Sequence, residues 1–322
     1  MIAAVQGPAN PAEALRGMVR RVIETIFHIG AHRCATTTFQ AYLDQNRQTL
    51  IRSGIMPWTP AVTRDALFDR LVRPPGQDDP AFDAQAARRI ANRRTTMERR
   101  GLRQLLVSEE NMIGTPRDNI ARHALYPGLL PRLSRFRDAF GGQVDRIGLV
   151  IRSYEAFWAS SIAFAVMAGT RVPGAEACRR IANQPRCWSD LICKVRRLFP
   201  DTPIAVWTFE AFAGRPRRQL TMLSRDPGVG HLLDQSPVWA NRSRDTATLR
   251  DVLTLQGRAE EAAMIPDSPG SWMPFDAADR AALAALYADD LTFLRGSDDP
   301  LLTFTERTAI KVPSARRRTA QG

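Results

Sequence analysis

From Ile26 to Gln40 the chain passes through Gly30, Ala31, His32, Arg33, Cys34, Ala35, Thr36, Thr37 and Thr38, an order that suits a bound phosphate. Gly30 permits a tight turn. Small Ala31 and Ala35 let a ligand approach the backbone, and successive N–H groups at a helix start converge on one point. The threonines supply hydroxyl donors or a helix cap, and Arg33 supplies a cation that grips oxyanions as a fork. The same pattern also suits an ordinary strand-to-helix turn capped by threonine. Two further segments carry chemistry. Ser108-Glu109-Glu110-Asn111 offers two adjacent carboxylates, for proton transfer or for pairing with an arginine, and Arg152 follows an apolar run ending at Ile151.

The elements that must position these groups alternate. Val22 to His28 reads as a buried strand broken at Gly30. A helical pattern from Thr36 places Phe39, Tyr42, Leu43 and Leu50 roughly on one face and closes at Gly54. Short strands are expected at Ile55 to Trp58 and at Leu105 to Val107. A Pro- and Asp-rich excursion over 61–80 and an Ala/Arg-rich helix at about 81–100 lie between them. A helix at about 118–140 leads to the clearest strand, Val144 to Ile151, followed by a helix from Tyr154 to Met167. Two helices punctuated by Pro173 and Pro185 precede Pro203 to Thr208, read as the last strand. Helices are expected beyond it at about 215–225, 245–263 and 276–294.

This alternation predicts an α/β fold: one domain over 21–300, with a parallel sheet flanked by helices and a helical C-terminal part. An N-terminal extension (1–20) and a basic C-terminal tail (301–322, with Arg316, Arg317 and Arg318) flank it. In such sheets ligands bind at the carboxyl ends of strands. The loop after His28, the acidic cluster after Val107 and Arg152 after Ile151 would then share one rim.

Composition narrows the function classes. The 322 residues are 44% hydrophobic, enough for a sizeable core, and the net charge of +12 is almost all arginine, Lys194 and Lys311 being the only lysines. An arginine surplus suits polyanionic ligands. The basic residues are spread along the chain without a nucleic-acid-binding signature, so no nucleic-acid partner is expected. Cys34, Cys178, Cys187 and Cys193 form no CxxC pair, and His28, His32, His123 and His231 lack ligand spacing, so no metal is expected. The start, from Met1 to Glu13, lacks an apolar signal-peptide region, and no apolar run reaches the ~20 residues of a membrane span. A cytoplasmic location is the expectation.

The first loop resembles the 5′-phosphosulfate loop of sulfotransferases that use 3′-phosphoadenosine 5′-phosphosulfate (PAPS), whose pattern is roughly Gly-x-x-Lys/Arg-Thr/Ser-Gly-Thr-Thr, commonly followed by a Gln-bearing helix. Gly30, Arg33, Thr36, Thr37 and Gln40 match, while Cys34 stands where Ser or Thr is usual and Ala35 where Gly is usual. If that position needs positive φ, the Cβ of Ala35 strains the loop. Arg152 and Ser160 have the spacing by which that family places an Arg after a strand and a Ser on the following helix. Taken alone, that segment also reads as a helix capped by Ser153 with aromatic core contacts. Leu105 to Glu110 resembles the family's strand ending Ser-x-Glu. Val206 to Phe212, with Glu210, resembles its late strand and acidic turn, and Asn241-Arg242-Ser243 an element near the cofactor.

The resemblance covers about 22–245 and implies a single P-loop-like α/β domain and sulfuryl transfer from PAPS to a small-molecule or carbohydrate acceptor that stays open, as does the oligomeric state. It assigns Gly30, Ala31, His32, Arg33, Cys34, Ala35, Thr36, Thr37, Arg152, Ser160 and Arg242 to the cofactor, with Arg152 and Ser160 on the 3′-phosphate. Arg33 becomes the cation that stabilises developing charge. Glu110 becomes the first choice of general base, ahead of Glu109 and His32. Trp58, Phe157 and Trp158 are candidates to stack on adenine, and the stretches 61–100 and 170–200 to line the acceptor pocket. A degenerate nucleotide-binding protein and a P-loop kinase are the alternatives. The kinase is disfavoured because its Gly-x-x-x-x-Gly-Lys-Ser/Thr lysine is missing.

Overall fold

The computed structural model describes residues 23–64, 67–68, 70–226, 228–229 and 245–306. Six parallel strands form one sheet in the order β2-β3-β1-β4-β5-β6. The strands are β1 (Glu24–His28), β2 (Ile55–Trp58), β3 (Gln104–Ser108), β4 (Arg146–Ile151), β5 (Ile204–Thr208) and β6 (Leu302–Thr305). The chain starts in the middle at β1, builds one half through β2 and β3, then crosses to β4, β5 and β6. Strand order reverses beside β1, the position where open parallel sheets form a crevice. His28 pairs with Ser108, and Ile151 with Thr208, so the ends of β1, β3, β4 and β5 face the same edge of the sheet.

The inner strands are apolar on both faces because helices cover both, and all six residues of β4 are buried. Gly148, in mid-β4, is required sterically: a Cβ there would lie 2.3 Å from Cδ2 of Leu223 and 2.9 Å from the Trp207 ring. Trp207 fills that hollow and stacks on His28, ring centres 5.8 Å apart. The first helical run divides at Asn46 into α1 (Thr36–Gln45) and α2 (Arg47–Arg52). Phe39, Tyr42 and Leu43 of α1 and Leu50 of α2 are buried, as their spacing predicts. α3 (Pro60–Thr63) opens the 61–80 excursion, and α4 (Pro80–Arg99) is the Ala/Arg-rich helix.

Several expectations need correction. The helix expected at 118–140 is two, α5 (Pro116–Ala121) and α6 (Leu129–Ala139). His123 and Tyr126 between them take left-handed conformations (φ 45° each), and Pro127 follows, so the helix cannot continue. Thr208 does not end the last strand: β6 pairs with β5 from Leu302, so the sheet extends into the segment read as a basic tail. α7 (Tyr154–Met167), α8 (Ala175–Ala182) and α9 (Trp188–Leu198) fall where the pattern placed helices, whereas α10 (Phe209–Phe212) is a short helical turn that the pattern did not mark. α11 (Pro216–Ser224) matches its expectation, the helix expected at 245–263 is two, α12 (Thr246–Leu255) and α13 (Ala259–Ala263), parted at Gly257 (φ 73°), and α14 (Ala277–Arg295) matches again. Among the described residues, no helix is long and apolar enough to cross a membrane.

Candidate functional site

A cleft of about 550 Å³ opens at the carboxyl ends of the strands. Its floor is the β1–α1 loop. Gly30 (φ 102°), Arg33 (φ 58°) and Ala35 (φ 60°) all take left-handed conformations, so the loop reverses direction within a few residues. Ala35 immediately precedes α1 without a side-chain cap, which leaves the first turn, residues 35–38, lining the cleft. A helix start in this position favours an anion. Thr36 Oγ1 donates to the Ala31 carbonyl (2.8 Å) and fixes the loop against its own base.

Three of the loop residues assigned to the cofactor do not line the cleft. The Ala31 N–H is taken by the Val150 carbonyl at 3.0 Å, and the side chain is fully buried. Cys34 is buried, and burial pushes its thiol up to about 12, so it stays protonated. Gly30 sits beneath, where an added Cβ would lie 3.0 Å from Cβ of Glu110. Both this close approach and the positive φ call for glycine. His32, Arg33, Ala35, Thr36 and Thr37 do line the cleft.

One wall is cationic. Arg33 Nε donates to Ser160 Oγ at 2.9 Å, and Arg152 Nη1 donates to the Arg33 carbonyl at 2.7 Å. Each guanidinium lies over an aromatic ring, Arg33 at 5.2 Å from the Phe164 centre and Arg152 at 4.2 Å from that of Phe209. Burial lowers the pKa of both, and the charge of Arg152 lowers that of Arg33 further, yet guanidinium stays protonated. Among the described residues Arg152 makes no ion pair, and its Nε is buried without a hydrogen-bond partner. A buried unmatched donor on a charged group is costly and suits an arriving anion.

The other wall holds the carboxylates. Glu110 Oε2 accepts from Gln40 Nε2 (2.7 Å) and Oε1 from Arg64 Nη2 (3.0 Å). Burial works to raise its pKa, but the neighbouring His32, the Arg64 guanidinium and the Gln40 bond outweigh it, and the net shift is downward. Glu110 is therefore ionised and faces the cleft. Glu109 is not at the cleft. It is fully buried, gripped by Arg64 through Nε (3.1 Å) and Nη2 (2.8 Å), and it accepts the Asn111 N–H. His32 lines the cleft with both ring nitrogens engaged, Nδ1 by Tyr126 Oη (3.1 Å) and Nε2 by Asn111 Oδ1 (3.1 Å). That network assigns the proton to Nε2, and burial holds the ring neutral by lowering its pKa. With neither nitrogen open, His32 is a poor base.

Other expectations shift. Trp58, Phe157 and Trp158 are core residues, at most 1% exposed, and offer no stacking surface. The phenylalanine rings at the cleft are the exposed Phe164 and the half-buried Phe209. Phe164 lies one turn beyond Ser160 on α7, a spacing that could have identified it, and Phe209 stands at the end of β5 as Arg152 stands at the end of β4. Arg64 comes from the 61–80 excursion, where no pattern marked it. No residue of 170–200 lines the cleft, whereas Pro116 and Ser271 do. Arg242 lies outside the described residues, as do Asn241 and Ser243. No group of His, Cys, Asp or Glu suited to a metal occurs among the described residues.

Comparison of the chain with protein-family models, with curated proteins and with solved structures finds no match in any of the three.

Proposed function

We propose that the protein is a PAPS-dependent sulfotransferase. The observation that carries this reading is the convergence of Arg33, Arg152 and Ser160 around the uncapped start of α1, with the ionised Glu110 across the same cleft. Two cations and a helix N-terminus suit a ligand with separated anionic groups, and the orphaned Nε of Arg152 fits one of them. Among the described residues no lysine lines the cleft, which disfavours a P-loop phosphotransferase.

Bound there, PAPS would supply the sulfuryl group: a bond forms from acceptor oxygen to sulfur, the bond from sulfur to the bridging phosphate oxygen breaks, and 3′-phosphoadenosine 5′-phosphate (PAP) leaves with that electron pair. By analogy with phosphoryl transfer, the protein then has mainly to position and to match charge. Arg33 and the first turn of α1 hold the 5′ end and face the charge that builds on leaving. Arg152 and Ser160 hold the 3′-phosphate. Glu110 takes the acceptor proton, its carboxylate oriented by Gln40 and Arg64.

Titration with PAP, ADP, ATP and a short DNA duplex tests the reading. PAP should raise the melting temperature more than ADP or ATP, and Arg152→Ala should erase the difference between PAP and ADP. Equal stabilisation of the wild type by PAP and ADP rejects the 3′-phosphate assignment. Preference for ATP favours a phosphotransferase, and preference for the duplex a nucleic-acid-binding protein.

A further inference from the structure

The Arg152–Ser153 peptide unit is held at both of its polar groups by side chains from other elements. Its carbonyl accepts Trp188 Nε1–H at 2.9 Å, and its N–H donates to Glu210 Oε1 at 3.0 Å. Both holders are themselves fixed by the C-terminal helix. Asp290 of α14 is buried and accepts the backbone N–H of Trp188 (3.1 Å) and of Ser189 (2.9 Å), and Tyr154 Oη donates to it at 2.5 Å. One turn earlier on α14, Tyr287 Oη donates to Glu210 Oε2 at 3.1 Å. Tyr154 and Trp188 also stack, ring centres 5.7 Å apart, so the aromatic pair moves as a unit. The chain thus runs from α14 through Trp188 on one side and Glu210 on the other to a single peptide. From there it reaches the Arg152 guanidinium, which in turn holds the Arg33 carbonyl.

We propose that Asp290 and Tyr287 are positioning residues for Arg152, and that α14 sets the angle at which that guanidinium enters the cleft. Fixing a peptide at both its donor and its acceptor removes the rotation that would otherwise swing the Arg152 side chain away from the Arg33 carbonyl. Supporting groups of this kind keep a binding site within the small tolerance that recognition requires. The inference rests on the sulfotransferase reading, since it takes Arg152 as the group that meets a 3′-phosphate.

The test compares PAP with ADP, which lacks the 3′-phosphate, by calorimetric titration of the full chain. Tyr287→Phe removes one oxygen from a partly exposed ring and should leave the melting temperature within about 2 °C of wild type. Its PAP affinity should fall roughly threefold to tenfold with ADP affinity unchanged, the loss of one hydrogen bond read at the 3′-phosphate. Asp290→Asn should show the same selective loss, more strongly, with a lower melting temperature because Asp290 also anchors the start of α9. A Tyr287→Phe protein whose PAP-to-ADP ratio is unchanged overturns the inference alone, as does one that loses both ligands equally. A wild type that binds PAP and ADP alike overturns the parent reading, and this inference with it.

Discussion

Arg33 and Ser160, 127 positions apart in the chain, meet with Nε and Oγ 2.9 Å apart. A hydrogen bond from a charged group contributes more than one between neutral groups. This contact joins the β1–α1 loop to α7 and places a cation over the start of α1. Ser160→Ala should therefore weaken PAP binding by about tenfold, because both the serine contact and the fixed direction of Arg33 are lost. Arg33→Ala should lower PAP affinity and turnover together. Arg33→Lys should recover part of both, since a point charge replaces a fork that also reaches Ser160. Calorimetric titration and initial rates check all three, and unchanged PAP affinity in Ser160→Ala would exclude a binding role for the pair.

Ala35 bears a Cβ in a left-handed conformation (φ 60°, ψ 21°), which favours glycine. Ala35→Gly should relieve that strain and raise stability by about 0.4 kcal/mol or more, the gain being limited by the added freedom of the unfolded chain. Urea denaturation decides it, and a loss of stability would mean that the loop holds Ala35 at no conformational cost.

The adjacent carboxylates should separate cleanly on mutation. Glu110→Gln keeps the shape of the side chain but cannot accept a proton, so PAP affinity should survive while turnover falls by ~10²–10⁴-fold once an acceptor is identified. Glu109→Gln removes the charge of a buried carboxylate from its ion pair with the half-exposed Arg64 and should lower the melting temperature instead. Equal effects of the two substitutions on turnover would reverse the assignment of the base.

His28 provides a pH dependence that involves no ligand. It is fully buried between Trp207 and Phe39, and burial lowers its pKa to about 4. The folded protein therefore resists protonation there, whereas the unfolded chain takes up the proton near pH 6.5. Stability is complete above pH 6.5 and is lost as pH falls towards 4, this residue alone contributing on the order of 3 kcal/mol to the loss. His28→Phe, which keeps an aromatic ring, should flatten the stability curve over that interval. A curve as steep as that of the wild type would show that other groups govern acid unfolding.

The parts of the site that sequence reading could find were those marked by local chain geometry. The strand-breaker-threonine run at Gly30 to Thr38 and the apolar strand before Arg152 are local signals, and parallel topology dictates that such strand ends meet. Glu109 and Glu110 could not be told apart in this way, because a side chain's direction at a strand end depends on the bend of the 3₁₀ turn Glu110–Met112 that follows. Arg64 was invisible for a different reason: its partners lie 45 and 46 residues away, and nothing in a Pro- and Asp-rich excursion distinguishes one arginine from another. β6 escaped because it is a half-exposed edge strand of four residues without an apolar run. Tyr287 and Asp290 sit in a helix whose spacing declares only that it is a helix. Their bonds to Glu210 and Tyr154 are purely tertiary.

The contacts that orient Arg152 also impose an order on assembly. Its carbonyl waits for Trp188, 36 residues on, and the neighbouring N–H for Glu210, 57 residues beyond Ser153. Asp290, which secures Trp188, comes 102 residues later still. Loop-closing contacts of such length form slowly compared with local helices. A chain emerging from the ribosome can pair β1 with β3 and β4 and make most of the sheet while Arg152 is still unguided. If Arg152 meets the ligand as proposed, ligand competence is among the last properties the fold acquires, and it arrives with the docking of α14.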